Sequence, residues 1–381
     1  AALEKLVAEP SYRPAVDIPW YVSMIGAIGA LFVMYLISPL ALAGALLLEF
    51  LFFIYFQKRA LEQRWGDVNA GLWMKVARFS LLRINQRRVA PRNWRPIILL
   101  FAENIRDRIE LVKLAAAFGQ NRGIFTVSKL LFAKDNPTLK EQEREKEKMI
   151  EEMHSHELEA FCEVNIAKSL NGGILNISKG HGIAGLKTNT IMFGWSENPR
   201  ANVNQLKIIR RISNLGKNIV LAKFNDHEAW KEERHQRIDI WWGGRDNNGD
   251  LMLILAYMLK LNAVWEDADI HIHAVVNNSI EADKLRNGIE RSINEVRIPA
   301  KVDVLIKKEN RSFPELLKER SAGADIVFMG LRKPERGSEK EQMEKIQELS
   351  QVGKVVVFAE NNSMEETFPI LFEKAEGTQF S

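Results

Sequence analysis

The sequence predicts an α/β protein in which a helical membrane hairpin precedes a duplicated, mostly parallel α/β sheet domain. Residues 18–56 form a long apolar stretch whose one formal charge is Glu49. From residue 97 onward, short β-rich apolar runs alternate with helical patterns. This alternation is typical of parallel strands joined by crossover helices. The same spacing of runs occurs twice, which indicates an internal repeat.

The composition excludes several classes of protein. The chain has 381 residues, with 53 basic and 49 acidic side chains, which is enough for two or three domains with cores of their own. Its 46% of hydrophobic residues argues against a disordered chain. The single cysteine, Cys162, excludes a disulfide framework and a cysteine-based zinc module.

The apolar stretch is long enough for two short membrane helices of ~17–20 residues each. Ser38 and Pro39 divide it, because proline lacks a backbone donor and disfavours helix in the residue before it. We therefore expect membrane spans over 19–37 and 40–57. A pair of buried helices is the alternative. A signal peptide is not expected, because its apolar region is only ~7–15 residues long.

The segment that follows the hairpin, 58–95, is strongly basic. It carries ten basic residues against two acids, so the positive-inside rule places everything from about residue 58 onward in the cytoplasm. Its aromatic and aliphatic residues predict an amphipathic helix carrying Arg83, Arg87 and Arg88. This helix either contacts anionic lipid headgroups and the membrane domain or packs on its own domain. Nucleic acid is not an expected partner, since no binding motif accompanies the charge.

Five strands are predicted in each half of the remaining chain, which gives two α/β lobes over 96–230 and 231–381. Gly216 and Gly353 are expected to end helices as left-handed caps. The polar run 140–159 is expected to be a helix or a linker, and 247–249 a turn. The predicted strands are 97–101, 124–128, 173–177, 190–193 and 219–222 in the first lobe and 238–242, 270–276, 302–306, 326–329 and 355–358 in the second.

No catalytic or metal-binding pattern can be identified in the sequence, so an enzyme is not expected. His154, His156 and Cys162 fall on the polar run without further ligands, which favours solvated or structural roles. His271 and His273 alternate along a predicted strand and therefore share one face of the sheet. They are either core-edge residues or a pair that senses pH or binds metal.

Five strings occur in the order in which they occur in one known family. They are Arg13-Pro14 with Trp20, Trp65-Gly66, Asn93-Trp94-Arg95-Pro96, Gly185-Leu186-Lys187-Thr188-Asn189-Thr190 with Gly194, and Ile238-Asp239-Ile240-Trp241-Trp242 with Gly249. Together they resemble the C-terminal portion of the cation–chloride cotransporter family, from its eleventh transmembrane helix onward. Thr188 departs from the family's proline, and Glu360 to Asn362 replace its glycine-rich end of the last strand.

The resemblance implies a secondary transporter that moves chloride with potassium, sodium or both, electroneutrally and as a homodimer. It also implies a cytosolic domain of two lobes resembling universal stress proteins. In this family the ion sites lie on earlier transmembrane helices, so no ion-binding residue is expected in this chain. We therefore interpret the chain as a fragment, the last membrane hairpin with the regulatory and dimerisation domain, whose partners are the remaining transmembrane domain and membrane lipids.

The lobes suggest one ligand site, because open parallel sheets bind ligands beyond the carboxyl ends of their strands. The likeness to stress proteins makes ATP or another adenine nucleotide the expected regulator, although the sequence has no phosphate-binding glycine motif. A membrane-tethered nucleotide sensor without a transport role is therefore the alternative function. If no nucleotide binds, the glycines there simply permit tight turns. The candidate residues are Ala102, Glu103, Gly194, Gly330 and Arg332.

Overall fold

The computed structural model describes seven stretches of the chain. The chain divides into two compact units, Ala1–Arg88 and Val89–Ser381. The described stretches are 19–58, 68–86, 94–119, 123–226, 234–243, 248–307 and 311–362.

The described residues of the first unit form three helices, α1 (Trp20–Ile37), α2 (Pro39–Lys58) and α3 (Val68–Gln86). Helix α1 ends because Ser38 is extended, with φ −161° and ψ 107°. The Ser38 hydroxyl then accepts the backbone N–H of Ala41 at 3.2 Å, within the first turn of α2. The predicted division at Ser38 and Pro39 is therefore confirmed.

Helices α1 and α2 contact each other and leave most of their apolar side chains exposed. Leu40 is 86% exposed and Ile37 is 79% exposed. Among the described residues, none of the helices combines the length and the apolar character needed to cross a bilayer.

The second unit alternates strands and helices. The first half contains β1 (Ile98–Phe101), α4 (Ile109–Phe118), β2 (Phe125–Phe132), α5 (Leu139–Ser155), β3 (Phe161–Ala167), α6 (Leu170–Gly180), β4 (Gly182–Ile183), β5 (Leu186–Lys187), β6 (Thr190–Gly194), α7 (Pro199–Ser213) and β7 (Asn218–Phe224). The second half contains β8 (Arg237–Trp242), α8 (Asn248–Lys260), β9 (Asp269–Val276), α9 (Ser279–Val296), β10 (Lys301–Ile306), α10 (Phe313–Ser321), β11 (Ile326–Gly330), α11 (Glu339–Leu349) and β12 (Val355–Glu360).

The described strands form a ten-stranded sheet in the order β10-β9-β8-β11-β12-β7-β6-β1-β2-β3, and β4 and β5 form a separate hairpin. Neighbours within each half are parallel, whereas β12 and β7 are antiparallel, with Val355 opposite Phe224 and Glu360 opposite Ile219. Each half has the strand order third, second, first, fourth, fifth. The predicted α/β class with a mostly parallel sheet is confirmed. The lobe boundary near residue 230 lies outside the described residues and stays a prediction.

One predicted strand is wrong, because 173–177 lies in helix α6. The Ser169 hydroxyl accepts the backbone N–H of Gly172 at 3.3 Å and so caps this helix. Ile174, Leu175 and Ser178 then form its buried face. A Cβ at Gly173 would lie 2.6 Å from the Cβ of Ala167, so the helix packs closely on the end of β3, the strand that the prediction missed.

Three smaller predictions have mixed outcomes. The polar run is helical as α5, which begins after a capping box formed by Thr138 and Glu141 and ends at Ser155. Residues 248 and 249 begin α8 instead of forming a turn, while residue 247 lies outside the described residues. Gly216 and Gly353 have φ of 67° and 59°, so the predicted left-handed conformation is confirmed, but the helices are capped earlier, at Asn214 and Ser350.

Equivalent helices of the two halves pair on both faces of the sheet. On one face α4 packs on α8, where the Asn262 side chain donates to the Ala117 carbonyl at 2.9 Å. On the other face α7 packs on α11, with Arg210 and Glu339 2.5 Å apart and Trp195 Nε1 donating to Gln347 at 2.9 Å. The core therefore lies along the whole sheet and does not divide into one core per half.

A buried carboxylate ties three strands together near the meeting point of the halves. Asp325, which precedes β11, accepts the backbone N–H groups of Gln236 and Arg237 at 2.7 and 2.9 Å and the Lys354 ammonium at 2.9 Å. Burial alone would raise its pKa, but the hydrogen bonds from His235, Lys354 and the two N–H groups outweigh burial and hold the pKa well below the usual range.

We expect Asp325→Asn to lower the free energy of unfolding by about 3 kcal/mol, because it leaves buried donors without their charged acceptor. The Asp325 carboxylate stabilises the fold above the unfolded pKa of ~3.9, and this contribution is lost as the pH falls below that value. Urea unfolding at pH 7 and pH 3.5 measures both effects. A variant as stable as the parent at pH 7 would contradict this role.

Candidate functional site

The first candidate crevice lies where β1 and β6 end. Ala102 is buried directly after β1, and Glu103 beside it is exposed. Gly194 ends β6, and a Cβ there would lie 2.9 Å from Arg108 Nη1. The Arg108 side chain therefore lies over the place where the two strands separate. Sequence analysis did not single out Arg108, because it stands in a short charged stretch with no recognisable motif.

A groove of about 740 Å³ opens at this edge of the sheet. It is lined by Phe101, Ala102, Glu103, Asn104, Asp107, Arg108 and Lys129. Lys129 is paired with Glu145 at 2.8 Å. Hydrogen bonds from Lys129 and Lys148 lower the pKa of Glu145 to about 2. The groove thus combines carboxylates, a guanidinium and a neutralised ammonium group.

The second candidate crevice is filled by a side chain. Asn248 Nδ2 lies 3.2 Å from the position of a Cβ on Gly330 and donates to the Leu331 carbonyl at 3.2 Å. Asn248 Oδ1 also accepts the backbone N–H of Asn361 at 2.8 Å. Arg332 is exposed and paired with Glu335 at 3.1 Å. The asparagine thus occupies the space where the strands β8 and β11 separate.

The five predicted residues do not form one site. Because β7 and β12 are antiparallel, the carboxyl ends of the two sets of strands lie at opposite edges of the sheet. Ala102 and Glu103 line the open groove, and Gly194 lies against Arg108, which lines the same groove. Gly330 and Arg332 lie at the edge that Asn248 fills. Nothing in the sequence distinguishes Asn248 from an asparagine in a turn, and a turn is what the sequence predicts at this position.

Beside this filled crevice lies a buried carboxyl, Asp250, in the first turn of α8. It is 8% exposed. Burial raises its pKa to about 7, because removing water disfavours the charged form. Nothing in the sequence indicates this burial, since an aspartate in the first turn of a helix is normally exposed.

The second half also contains a buried polar cluster around Asp239. Ser321 Oγ donates to Asp239 Oδ2 at 2.6 Å, and Trp241 Nε1 donates to Ser321 at 3.0 Å. His273 Nε2 lies 3.4 Å from Asp239, and the His271 ring stacks on His273, as expected for one face of a strand. The serine hydroxyl points to the aspartate and not to the histidine, so this is not the geometry of an activated nucleophile.

The other predicted positions are spread over the fold. His154 and His156 lie at the end of α5, whereas Cys162 is buried on β3, where burial raises its pKa to about 11. Among the described residues, no group of three histidine, cysteine or acidic side chains could hold a metal ion. Arg83 is exposed on α3, with its guanidinium 5.2 Å from the centre of the Phe79 ring. Arg87 and Arg88 lie outside the described residues.

Comparisons with known proteins point to one class of membrane transporter. The model of solute carrier family 12 matches residues 108–212. The Caenorhabditis elegans potassium/chloride cotransporter 3 is 27% identical over 321 residues, which covers 80% of this chain and 30% of that protein. This chain therefore spans less than a third of the length of the relative. The predicted resemblance is confirmed: the chain is similar to the cation–chloride cotransporters.

Solved structures identify the part of such a transporter that the chain resembles. The cytoplasmic domain of a prokaryotic cation chloride cotransporter has the same fold, with a TM-score of 0.51 and 20% identity over 72% of this chain and 98% of that one. A universal stress protein from Archaeoglobus fulgidus superposes with a TM-score of 0.47 and 15% identity over 70% of this chain and 97% of that one. The first match shows that the second unit has the same fold as that cytoplasmic domain.

We expect Asp250→Asn to stabilise the protein most at high pH. Because the pKa of Asp250 is raised in the folded state, stability should fall between about pH 4 and pH 7 as the unfolded chain loses its proton first. The neutral amide removes that cost. Urea unfolding at pH 5 and pH 8 measures the difference, with Asp283→Asn, an exposed aspartate on α9, as the matched control. An Asp250 variant that behaves like the control would contradict the effect of burial.

Proposed function

We propose that the chain is the C-terminal part of a secondary transporter that carries chloride with potassium, sodium or both, without net charge movement. The observation that carries this proposal is the alignment with the potassium/chloride cotransporter over 321 residues. The second unit is then the cytoplasmic domain of the transporter, in agreement with its fold.

The two apolar helices are the part that connects this domain to ion transport. Ile25, Leu36 and Phe50 on α1 and α2 are each more than half exposed. Leaving apolar surface in water costs about 25 cal/mol per Å². We propose that the rest of the transmembrane domain and the surrounding lipid cover it. The basic excess after α2 supports a cytoplasmic location from about residue 58 onward.

The two lobes give the domain its proposed roles in dimerisation and regulation. Two copies would pair through their cytoplasmic domains, and α3 with Arg83 would transmit the arrangement of the lobes to the transport helices. Exposed apolar residues on α3, among them Trp73 and Phe79, support a helix with a partner in the complete protein. Light scattering on the purified transporter, giving twice the mass of one copy, tests the dimer.

The test of transport uses the complete transporter, reconstituted in vesicles. We expect uptake of rubidium or sodium that requires chloride on the same side and that an imposed membrane potential leaves unchanged, because the cotransport is electroneutral. Tracer uptake with chloride or gluconate outside measures this. The matched control is the same protein without residues 94–381.

Several results would contradict the proposal or one part of it. Cation uptake that continues in gluconate, or that follows the membrane potential, would exclude electroneutral chloride symport. No transport from a well-folded complete protein would favour the alternative, a membrane-tethered sensor. A control that transports as fast as the complete protein would exclude a regulatory role for the second unit.

The groove supports a second, additional role, binding of an adenine nucleotide as a regulator. Its volume of about 740 Å³ lies in the range of small-molecule pockets, and it opens beyond the carboxyl end of β1, where such sheets bind ligands. Arg108 would contact phosphate oxygens. The first lobe is the candidate, because Asn248 fills the corresponding crevice of the second.

Calorimetric titration of the purified chain with ATP tests this role. We expect saturable binding that Arg108→Ala weakens by about tenfold or more, since a charged hydrogen bond is lost. The matched control is Arg332→Ala, which removes an exposed arginine at the other edge of the sheet. No heat with millimolar ATP, or equal weakening by both variants, would exclude a nucleotide site in the first lobe.

A further inference from the structure

One edge of the sheet combines exposed apolar side chains with lysines. Phe161, at the start of edge strand β3, is 62% exposed, and Ile183, in the β4–β5 hairpin, is 65% exposed. Lys187 is exposed on the same hairpin. Together with Lys217, just before β7, these residues are called the hairpin edge. Its apolar side chains contribute nothing to the core of the described domain.

A chain of polar contacts holds the hairpin edge together. His181 Nε2 lies 3.5 Å from the Glu163 carboxylate on β3, and His181 Nδ1 is 2.5 Å from the Thr188 hydroxyl. The Lys217 ammonium donates to the Thr188 carbonyl. The beginnings of β3 and β7 and the hairpin between them therefore form one continuous surface.

The charge of this surface favours an acidic partner. Burial lowers the pKa of Lys217, and the positive charge of Lys187 lowers it further. The Lys187 and Lys217 ammonium groups repel each other, so a carboxylate placed between them would stabilise both. Glu163, the acid within this surface, already interacts with His181.

The chain itself arrives at this surface after its last described strand. The backbone N–H of Asn362 donates to Asn218 Oδ1 at 2.9 Å, and its side-chain amide donates to the Lys217 carbonyl at 3.0 Å. The residues that follow begin beside Lys217. Residues 363–381 contain four glutamates and one lysine, and within them 368–372 are Phe-Pro-Ile-Leu-Phe.

We propose that residues 363–381 dock on the hairpin edge of the same chain. Glu365 and Glu366 would pair with Lys187 and Lys217, and the apolar run 368–372 would cover Ile183 and Phe161. The five residues 363–367 can reach about 16 Å when extended, which is enough to cross the start of β7 and reach the hairpin. Both the charge and the apolar character of the segment complement the surface.

Disulfide trapping in the purified full chain tests the proposal. Oxidation of the double variant Ile183→Cys with Ile370→Cys should give an intramolecular disulfide. The matched control, Ile280→Cys with Ile370→Cys, places the first cysteine at an isoleucine on α9 that is even more exposed, at 81%, so accessibility alone would favour the control. Docking raises the local concentration of the partner, so we expect at least about tenfold more disulfide than in the control. Cys162 can remain, because it is buried.

Three results would overturn the proposal. The first is equal trapping in both pairs. The second is a disulfide that mass spectrometry of mixed isotope-labelled and unlabelled chains assigns to two different copies. The third concerns hydrogen exchange of the backbone amides of 182–187. If phosphatidylserine vesicles slow this exchange, whereas the full chain and a chain ending at 362 exchange at the same rate, a lipid surface is the occupant.

Charge reversal separates docking from a merely local effect of the mutations. The double variant Lys187→Glu with Lys217→Glu should reduce the trapping several-fold, and the further changes Glu365→Lys and Glu366→Lys should restore it, since the attraction depends on opposite charge. Trapping that does not respond to the reversal, or reversal that the second pair of changes does not rescue, would contradict the proposed pairing.

Discussion

The pairing of β7 with β12 is the interaction on which the rest of the second unit depends. It is the one antiparallel contact within the described ten-stranded sheet, and it joins two halves of the same strand order into one layer. Since the two sets of strands then run in opposite directions, their helices meet as equivalent pairs on both faces, and their carboxyl ends face opposite edges. Asp325 reinforces the same region by holding β8, β11 and β12 to one carboxylate.

Much of the fold could be predicted from the sequence, and the failures have identifiable physical causes. Buried parallel strands are short, continuous apolar runs, so nine of the ten predicted strands are present. The exception is 173–177, which is apolar enough for a strand but lies in a helix whose N-terminus is capped by Ser169. The strand observed instead, β3, is an edge strand with Glu163 and Asn165 on one face. Because of these polar residues its sequence is not a continuous apolar run, so no strand is predicted there.

The candidate sites show the limits of prediction more clearly. The carboxyl ends of the strands were correctly located, so Ala102 and Glu103 line one groove and Gly194 lies against Arg108, which lines it too. What occupies a crevice depends on side-chain packing between elements far apart in sequence. Asn248 bonds to Leu331 and Asn361 across the sheet edge, and no local pattern around residue 248 indicates these partners. Two lobes of equal topology therefore differ in whether a ligand could enter.

The position of β12 also has a consequence for biosynthesis. During synthesis, β7 emerges from the ribosome long before β12 is translated. Until then β7 is an unpaired edge strand, although almost all its residues are buried in the complete sheet. Unpaired strands of this kind recruit other chains. Until β12 is made, the first half is therefore a candidate for chaperone binding, and a message cut short within the second half would yield an aggregation-prone product and not a working single lobe.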